Sequence, residues 1–166
     1  MSWALAKCSE FLKTVVQHIC GLLPDTDAIT VMNQKYDADT GITDIEVTDH
    51  KNFHIIFEAK RGWLLPGADQ LTKYSVRLAA SLAAFKQIVT LSECTQAYAR
   101  SYLPFTVAPN GILISRLSYG EVYQMAIDTR TASKHEQKHL LAEFCDYLRE
   151  VITMPKRTQT WCMSLF

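Results

Sequence analysis

The chain has 166 residues, 48% of them hydrophobic, which suffices for one well-packed core. Seventeen basic side chains balance seventeen acidic ones, so no global charge draws the protein to nucleic acid, and any phosphate-binding surface must be local. No segment has the unbroken apolar length of a membrane span, and the start, "MSWALAKCSE", lacks the features of a signal peptide.

Along the chain, Leu5, Cys8, Leu12, Val15, Val16, Ile19, Leu22 and Leu23 recur at helical spacing, predicting one helix over residues 3–23, with Gly21 and Pro24 at its end. "AITVMNQKY" reads as a strand and "DADTG" as a turn. "ITDIEVT" and "FHIIFEAK", separated by the turn-type cluster "DHKN", read as a β-hairpin. Residues 67–86 then predict a helix that turns Leu71, Tyr74, Leu78, Leu82 and Phe85 inward. "QIVTLS" is a short buried strand, "TQAYARSYL" a short helix stopped before Pro104, and "GILISR" another strand. Ser118 with Glu121, and Ser133 with Glu136, have capping-box spacing and open two further helices, the second over about residues 134–152. "TQTWCMSLF" reads as a last strand. The order predicts a single α/β (α+β mixed) domain over residues 1–166, with a central mixed β-sheet flanked by helices. The five cysteines include no C-x-x-C pair, and most sit in apolar company. They read as buried free thiols, which suit a reducing cytoplasm.

The hairpin carries the chemistry. If it turns about Lys51, Asp44 stands opposite Glu58, Glu46 opposite Ile56 and Ile42 opposite Lys60. One face then holds Ile42, Asp44, Glu46, Thr48, His54, Ile56, Glu58 and Lys60, and the other holds Ile45, Val47, Phe53, Ile55, Phe57 and Ala59. The second is a core face. On the first, Asp44 and Glu58 fall within the short Cβ separation of opposed residues and repel unless a cation intervenes. Lys60 is one candidate cation and a divalent metal another, magnesium being suited to two carboxylates plus waters and phosphate oxygens.

Asp44, with Glu58-Ala59-Lys60 ("EAK"), resembles the metal-binding motif of the PD-(D/E)XK nuclease superfamily, the restriction-endonuclease-like fold. The opening helix, the acidic hairpin, the following "QLTKY" (a Q-x-x-x-Y pattern, Gln70 and Tyr74) and the strand-to-helix "LISRLSYGEVYQMA" extend the resemblance over most of the chain. Thr43 stands where the motif often has proline; the literal Pro24-Asp25 falls at a helix end, away from the hairpin.

The resemblance implies a magnesium-dependent endonuclease, with manganese as a substitute, that hydrolyses phosphodiesters, most readily of DNA. Asp44, Glu58 and the backbone carbonyl of Ala59 would hold the metal, and Lys60 would position the attacking water or stabilise the phosphorus centre. The alternative is a catalytically inactive binding or assembly module on the same fold, as in a defence system. The resemblance also assigns a supporting role to Glu10, whose side of the helical wheel reads equally as solvated surface. Gln70 and Tyr74 read either as a polar pair beside the metal or as a core tyrosine and its neighbour. Arg61, Lys73 and Arg77 read as phosphate contacts or as solvated cations. Trp63 reads as a loop anchor or a base-stacking platform, Glu46 as a peripheral acid, and His54 as a surface histidine. DNA is the expected partner, with a homodimer as the arrangement for cutting both strands and no membrane association.

Overall fold

The computed structural model describes residues 1–153, the side chains of 151–153 excepted. Two helices open the chain, α1 (Ser2–Lys7) and α2 (Ser9–Cys20). The continuous helix expected here is interrupted at Cys8, whose backbone is extended (φ −120°, ψ 96°). The break lets both segments bury their apolar faces: Ala4 and Leu5 from the first, Phe11, Leu12, Val15 and Val16 from the second. Gly21, with φ 68°, closes α2 in the left-handed conformation that glycine adopts without strain.

Strands β1 (Thr30–Asp37), β2 (Gly41–Thr48) and β3 (Phe53–Ala59) form an antiparallel meander. Helix α3 (Ala68–Ala79) then crosses to β4 (Phe85–Ser92), which pairs parallel to β3. Helix α4 (Gln96–Tyr102) leads towards β5 (Leu113–Ser118), parallel to β4, and α5 (Tyr119–Ala132) and α6 (His135–Thr153) follow. The result is one five-stranded mixed sheet in the order β1-β2-β3-β4-β5, flanked by helices. The last strand expected, "TQTWCMSLF", lies outside the described residues.

The two faces bury different cores. On one, Ile45, Val47, Phe53, Ile55, Phe57, Val89 and Leu91 share a cluster with Phe11, Val15, Met125, Phe144 and Leu148 of α2, α5 and α6. On the other, Ile56, Ile88 and Ile114 meet Leu71, Tyr74 and Leu78 of α3. Strand β3 is therefore covered on both faces and paired on both edges.

The helix expected over 67–86 stops at Ala79, and Leu82 is 94% exposed rather than inward. The chain must turn early because β4 begins at Phe85, which pairs with Phe53; the Ser81 hydroxyl accepts from the Ala83 amide within that turn. At α5 the expected capping box is present, with the Ser118 and Glu121 side chains each bonding the other's backbone amide. Ser133 instead donates its hydroxyl to the Thr129 carbonyl at the end of α5, and α6 begins only at His135.

The hairpin register is the expected one: Ile45 pairs with Phe57, Glu46 with Ile56, Val47 with Ile55 and Thr48 with His54. Asp49 fixes it. Its Oδ1 accepts from the amides of Lys51 (3.1 Å), Asn52 (2.7 Å) and Phe53 (3.0 Å), and its Oδ2 from Asn52 Nδ2 (2.6 Å). Burial alone would raise the Asp49 pKa, but these amide donors outweigh it and hold the group below its ordinary value. Asp49→Ala is expected to lower stability by about 1–3 kcal/mol, since it strips a charged acceptor from three backbone donors. Urea denaturation measures it, and an unchanged midpoint would show that the register is set elsewhere.

Candidate active site

The end of β3 and the first two turns of α3 meet across one sheet face. Glu58 is buried there, 2% exposed, and its carboxylate has three donors. Lys60 Nζ lies 2.6 Å from Oε1, Gln70 Nε2 donates to Oε1 at 2.7 Å, and the Tyr74 hydroxyl meets Oε2 at 2.8 Å. Gln70 Nε2 also donates to the Tyr74 oxygen (2.9 Å), which itself lies 2.6 Å from the Ile42 carbonyl. The spacing of Gln70 and Tyr74, one helical turn, lets both reach the same carboxylate. Tyr74 is a core residue, 1% exposed, as one reading of this pair had it, and its hydroxyl and Gln70 still meet the Glu58 carboxylate. Burial drives the Tyr74 phenol well above its ordinary pKa; Gln70 opposes this, and the charges of Glu58 and Asp44 reinforce it.

Asp44 reaches the same strand end by a different route from the one expected. The β2–β3 ladder has its last backbone pair at Ile45 and Phe57, and beyond it Asp44 Oδ2 accepts from the Ala59 amide at 2.8 Å. On the other side of Asp44, Gln34 has φ 48°, and the β1–β2 pairing passes from Asn33–Ile45 to Lys35–Thr43 without joining Gln34 to Asp44. Regular alternation therefore fails at this residue. Asp44 borders a cavity of about 210 Å³ lined also by Asn33, Gln34, Arg61, Tyr119 and Tyr147. Its charge is nonetheless felt from both sheet faces. It contributes to raising Tyr74, and also Tyr119, which burial first, then Tyr147, Glu93 and Asp44, push up to about 12.

The remaining expected site residues divide. Glu10 is exposed on α2 and shares no contact with Asp44 or Glu58. Arg61 and Lys73 are exposed, Arg61 beside Asp44 in the cavity wall. Arg77 is no open phosphate contact. Its side chain is 8% exposed, and Nη2 lies 2.7 Å from Glu46 Oε1.

Glu46 is thus not peripheral, and His54 is not a surface histidine. Glu46 is fully buried, with His54 Nε2 at 3.1 Å, Lys35 Nζ at 3.5 Å and the Thr43 hydroxyl at 2.8 Å, in addition to Arg77. Burial raises its pKa, but the bonds from His54 and Thr43 and the charges of Arg77 and Lys35 prevail and leave it below the ordinary glutamate value. This cluster was missed because it needs α3 laid across the hairpin. The available signal was a lone acid on the face that also carries Ile56.

Among the described residues, no three His, Cys, Asp or Glu side chains form a metal-holding group. Two carboxylates beside one strand end, with the Ala59 carbonyl, still match the sparse protein ligand set of magnesium, which keeps waters and takes substrate oxygens. No helix among them is long and apolar enough to cross a membrane. Compared with protein-family models, curated proteins and solved structures, the chain matches none.

Proposed function

We propose that the chain is a magnesium-dependent nuclease of the restriction-endonuclease-like fold, acting on the phosphodiester bonds of DNA. The observation that carries this reading is the set Glu58, Lys60, Gln70 and Tyr74: a buried carboxylate and an ammonium joined at 2.6 Å, held by two neutral donors at the end of a central strand. The PD-(D/E)XK resemblance of Asp44 and "EAK" supports the assignment.

In this mechanism Gln70 and Tyr74 fix the Glu58 carboxylate so that it keeps one orientation. The Ala59 amide does the same for Asp44. Asp44, Glu58 and the Ala59 carbonyl are the metal ligands; when bound, the ion supplies Lewis-acid polarisation of the phosphate and a more acidic water. Lys60, with 30% of its side chain exposed, stands between Glu58 and solvent. From there its ammonium meets the phosphate or the attacking water and stabilises negative charge that develops on the oxygens. A dimer would bring two such sites to a duplex.

A second reading, a non-catalytic module of the same fold, is favoured by one observation. Glu58 has three partners within the chain, two of them on Oε1, which leaves its carboxylate little open acceptor capacity for a cation. A cleavage panel separates the two: single-stranded DNA, duplex DNA and RNA, each with magnesium, manganese or EDTA. Metal-dependent scission of DNA, lost in EDTA, is the expected result. Intact substrates throughout, with protein shown to be folded, would leave the binding module as the better reading.

A further inference from the structure

Beside the Glu58–Lys60 strand end stands a row of aromatic rings that the mechanism does not use. Trp63 follows Lys60 by three residues, so their Cα atoms lie within about 11 Å of each other. Its indole meets Tyr98 edge-on at a centroid separation of 4.9 Å. Tyr98 in turn stacks on Tyr102, at 6.0 Å and 12° between planes.

Hydrogen bonds fix the two segments that carry the row. Gly62 and Glu93 exchange two bonds: the Glu93 amide donates to the Gly62 carbonyl (2.9 Å), and the Gly62 amide to Glu93 Oε1 (3.0 Å). Lys60 donates its amide to Leu91 (2.8 Å), and the Thr95 hydroxyl caps α4 by accepting from the Tyr98 amide. Gly62 takes φ 62°, a conformation suited to glycine, and so turns Trp63 toward α4.

A ring that serves as an anchor stabilises through the area it buries. Here Trp63 is 42% and Tyr102 64% exposed. Neither the Tyr98 nor the Tyr102 hydroxyl has a hydrogen-bond partner among the described residues, so the rings are not held for their polar ends. Arg61 and Arg100, both exposed, belong to the same two segments. Exposed rings, with cations in the same segments, are what successive unpaired bases and their phosphates require. A duplex does not offer this, because its base faces are covered by one another and only edges and phosphates remain accessible.

We propose that Trp63, Tyr98 and Tyr102 form a base-stacking platform for unpaired DNA, so that the substrate carries a single-stranded segment beside the bond to be cut. The substrate assignment rests on the nuclease reading of the neighbouring site; the platform itself does not.

The test is fluorescence anisotropy in EDTA with three labelled probes: an oligothymidylate of about 12 nucleotides, a deoxyribose-phosphate oligomer of equal length without bases, and the corresponding duplex. The parent should bind oligothymidylate more tightly than either other probe. Tyr102→Ala should weaken oligothymidylate binding about tenfold and leave the baseless oligomer unaffected. Tyr102→Phe should bind as the parent does, since the phenol makes no bond. Trp63→Ala provides a second, independent loss of a ring, with a thermal melt confirming that each variant is folded. Equal parental affinity for the base-bearing and baseless strands would overturn the platform, as would parental oligothymidylate affinity in both alanine variants. Because the measurement needs no cleavage, a chain that cuts nothing yet shows the ring-dependent binding refutes only the nuclease reading. A chain that cuts DNA but binds independently of the rings refutes only the platform.

Discussion

Lys60→Ala is expected to reduce metal-dependent DNA cleavage about a thousandfold, the scale of losing a charge aimed at a developing oxyanion. Its ammonium is not a metal ligand, so magnesium affinity by calorimetry should hold or rise. At 2.6 Å from Glu58 Oε1, Lys60 competes with any cation for that oxygen, and its removal lifts the competition. Lys60→Arg should restore little, because a planar fork cannot take the place of a point charge beside a carboxylate that Gln70 and Tyr74 also hold. Glu58→Gln, by contrast, should lose magnesium binding and cleavage together. Parental cleavage by Lys60→Ala would remove the lysine from the mechanism; magnesium binding lost in that variant would mean that its role is structural.

The largest effect on stability is expected at Glu46. Glu46→Ala leaves the Arg77 guanidinium in a buried site without its counter-charge, at a cost of about 3–5 kcal/mol. Combining Glu46→Leu with Arg77→Met should recover much of this, because it removes both charges together. The folded-state pKa of Glu46 is depressed, which fixes the sign of its pH dependence. The stabilisation is fully present above the unfolded glutamate value of about 4.3 and is lost as pH falls through the lower folded value. Urea midpoints of the parent and Glu46→Gln should therefore differ most at neutral pH and converge in acid. Asp49 and Asp37 titrate in both proteins and cancel from the difference. A gap that stays constant from neutral to strongly acidic pH would place the depressed acid elsewhere.

Much of this architecture could be read from the residue order, for reasons that particular residues make plain. The hairpin register followed from "DHKN", where the Asp49 carboxylate gathers the turn amides, and from two apolar runs whose alternation allows one pairing. Glu58, Lys60, Gln70 and Tyr74 came together because their spacings, two along a strand and four along a helix, each keep side chains on one face. Asp44 reaches that strand end without the backbone pairing opposite Glu58 that alternation implies, because alternation presumes an unbroken ladder, and the positive φ of Gln34 on the neighbouring strand is invisible in a residue pattern. Glu46, His54 and Arg77 were misread for another reason. Whether a polar residue on a sheet face is solvated or buried depends on which helix lies over it, and only the packed α3 decides that. Leu82 shows the converse: helical periodicity ran on past Ala79, but the pairing of Phe85 with Phe53 ended the helix first.

The bond from the Ala59 amide to Asp44 has a dynamic consequence. Inner β3 amides are locked by backbone partners on buried strands, so their hydrogens exchange with solvent only when the sheet itself opens. The Ala59 hydrogen is held by a side-chain oxygen instead, at the rim of a solvent-reaching cavity. Its exchange is governed by rotation of one carboxylate, a far smaller event than unpairing two strands. Within a single strand, that one position is a built-in clock for the motion of Asp44, set against neighbours that time the opening of the whole fold.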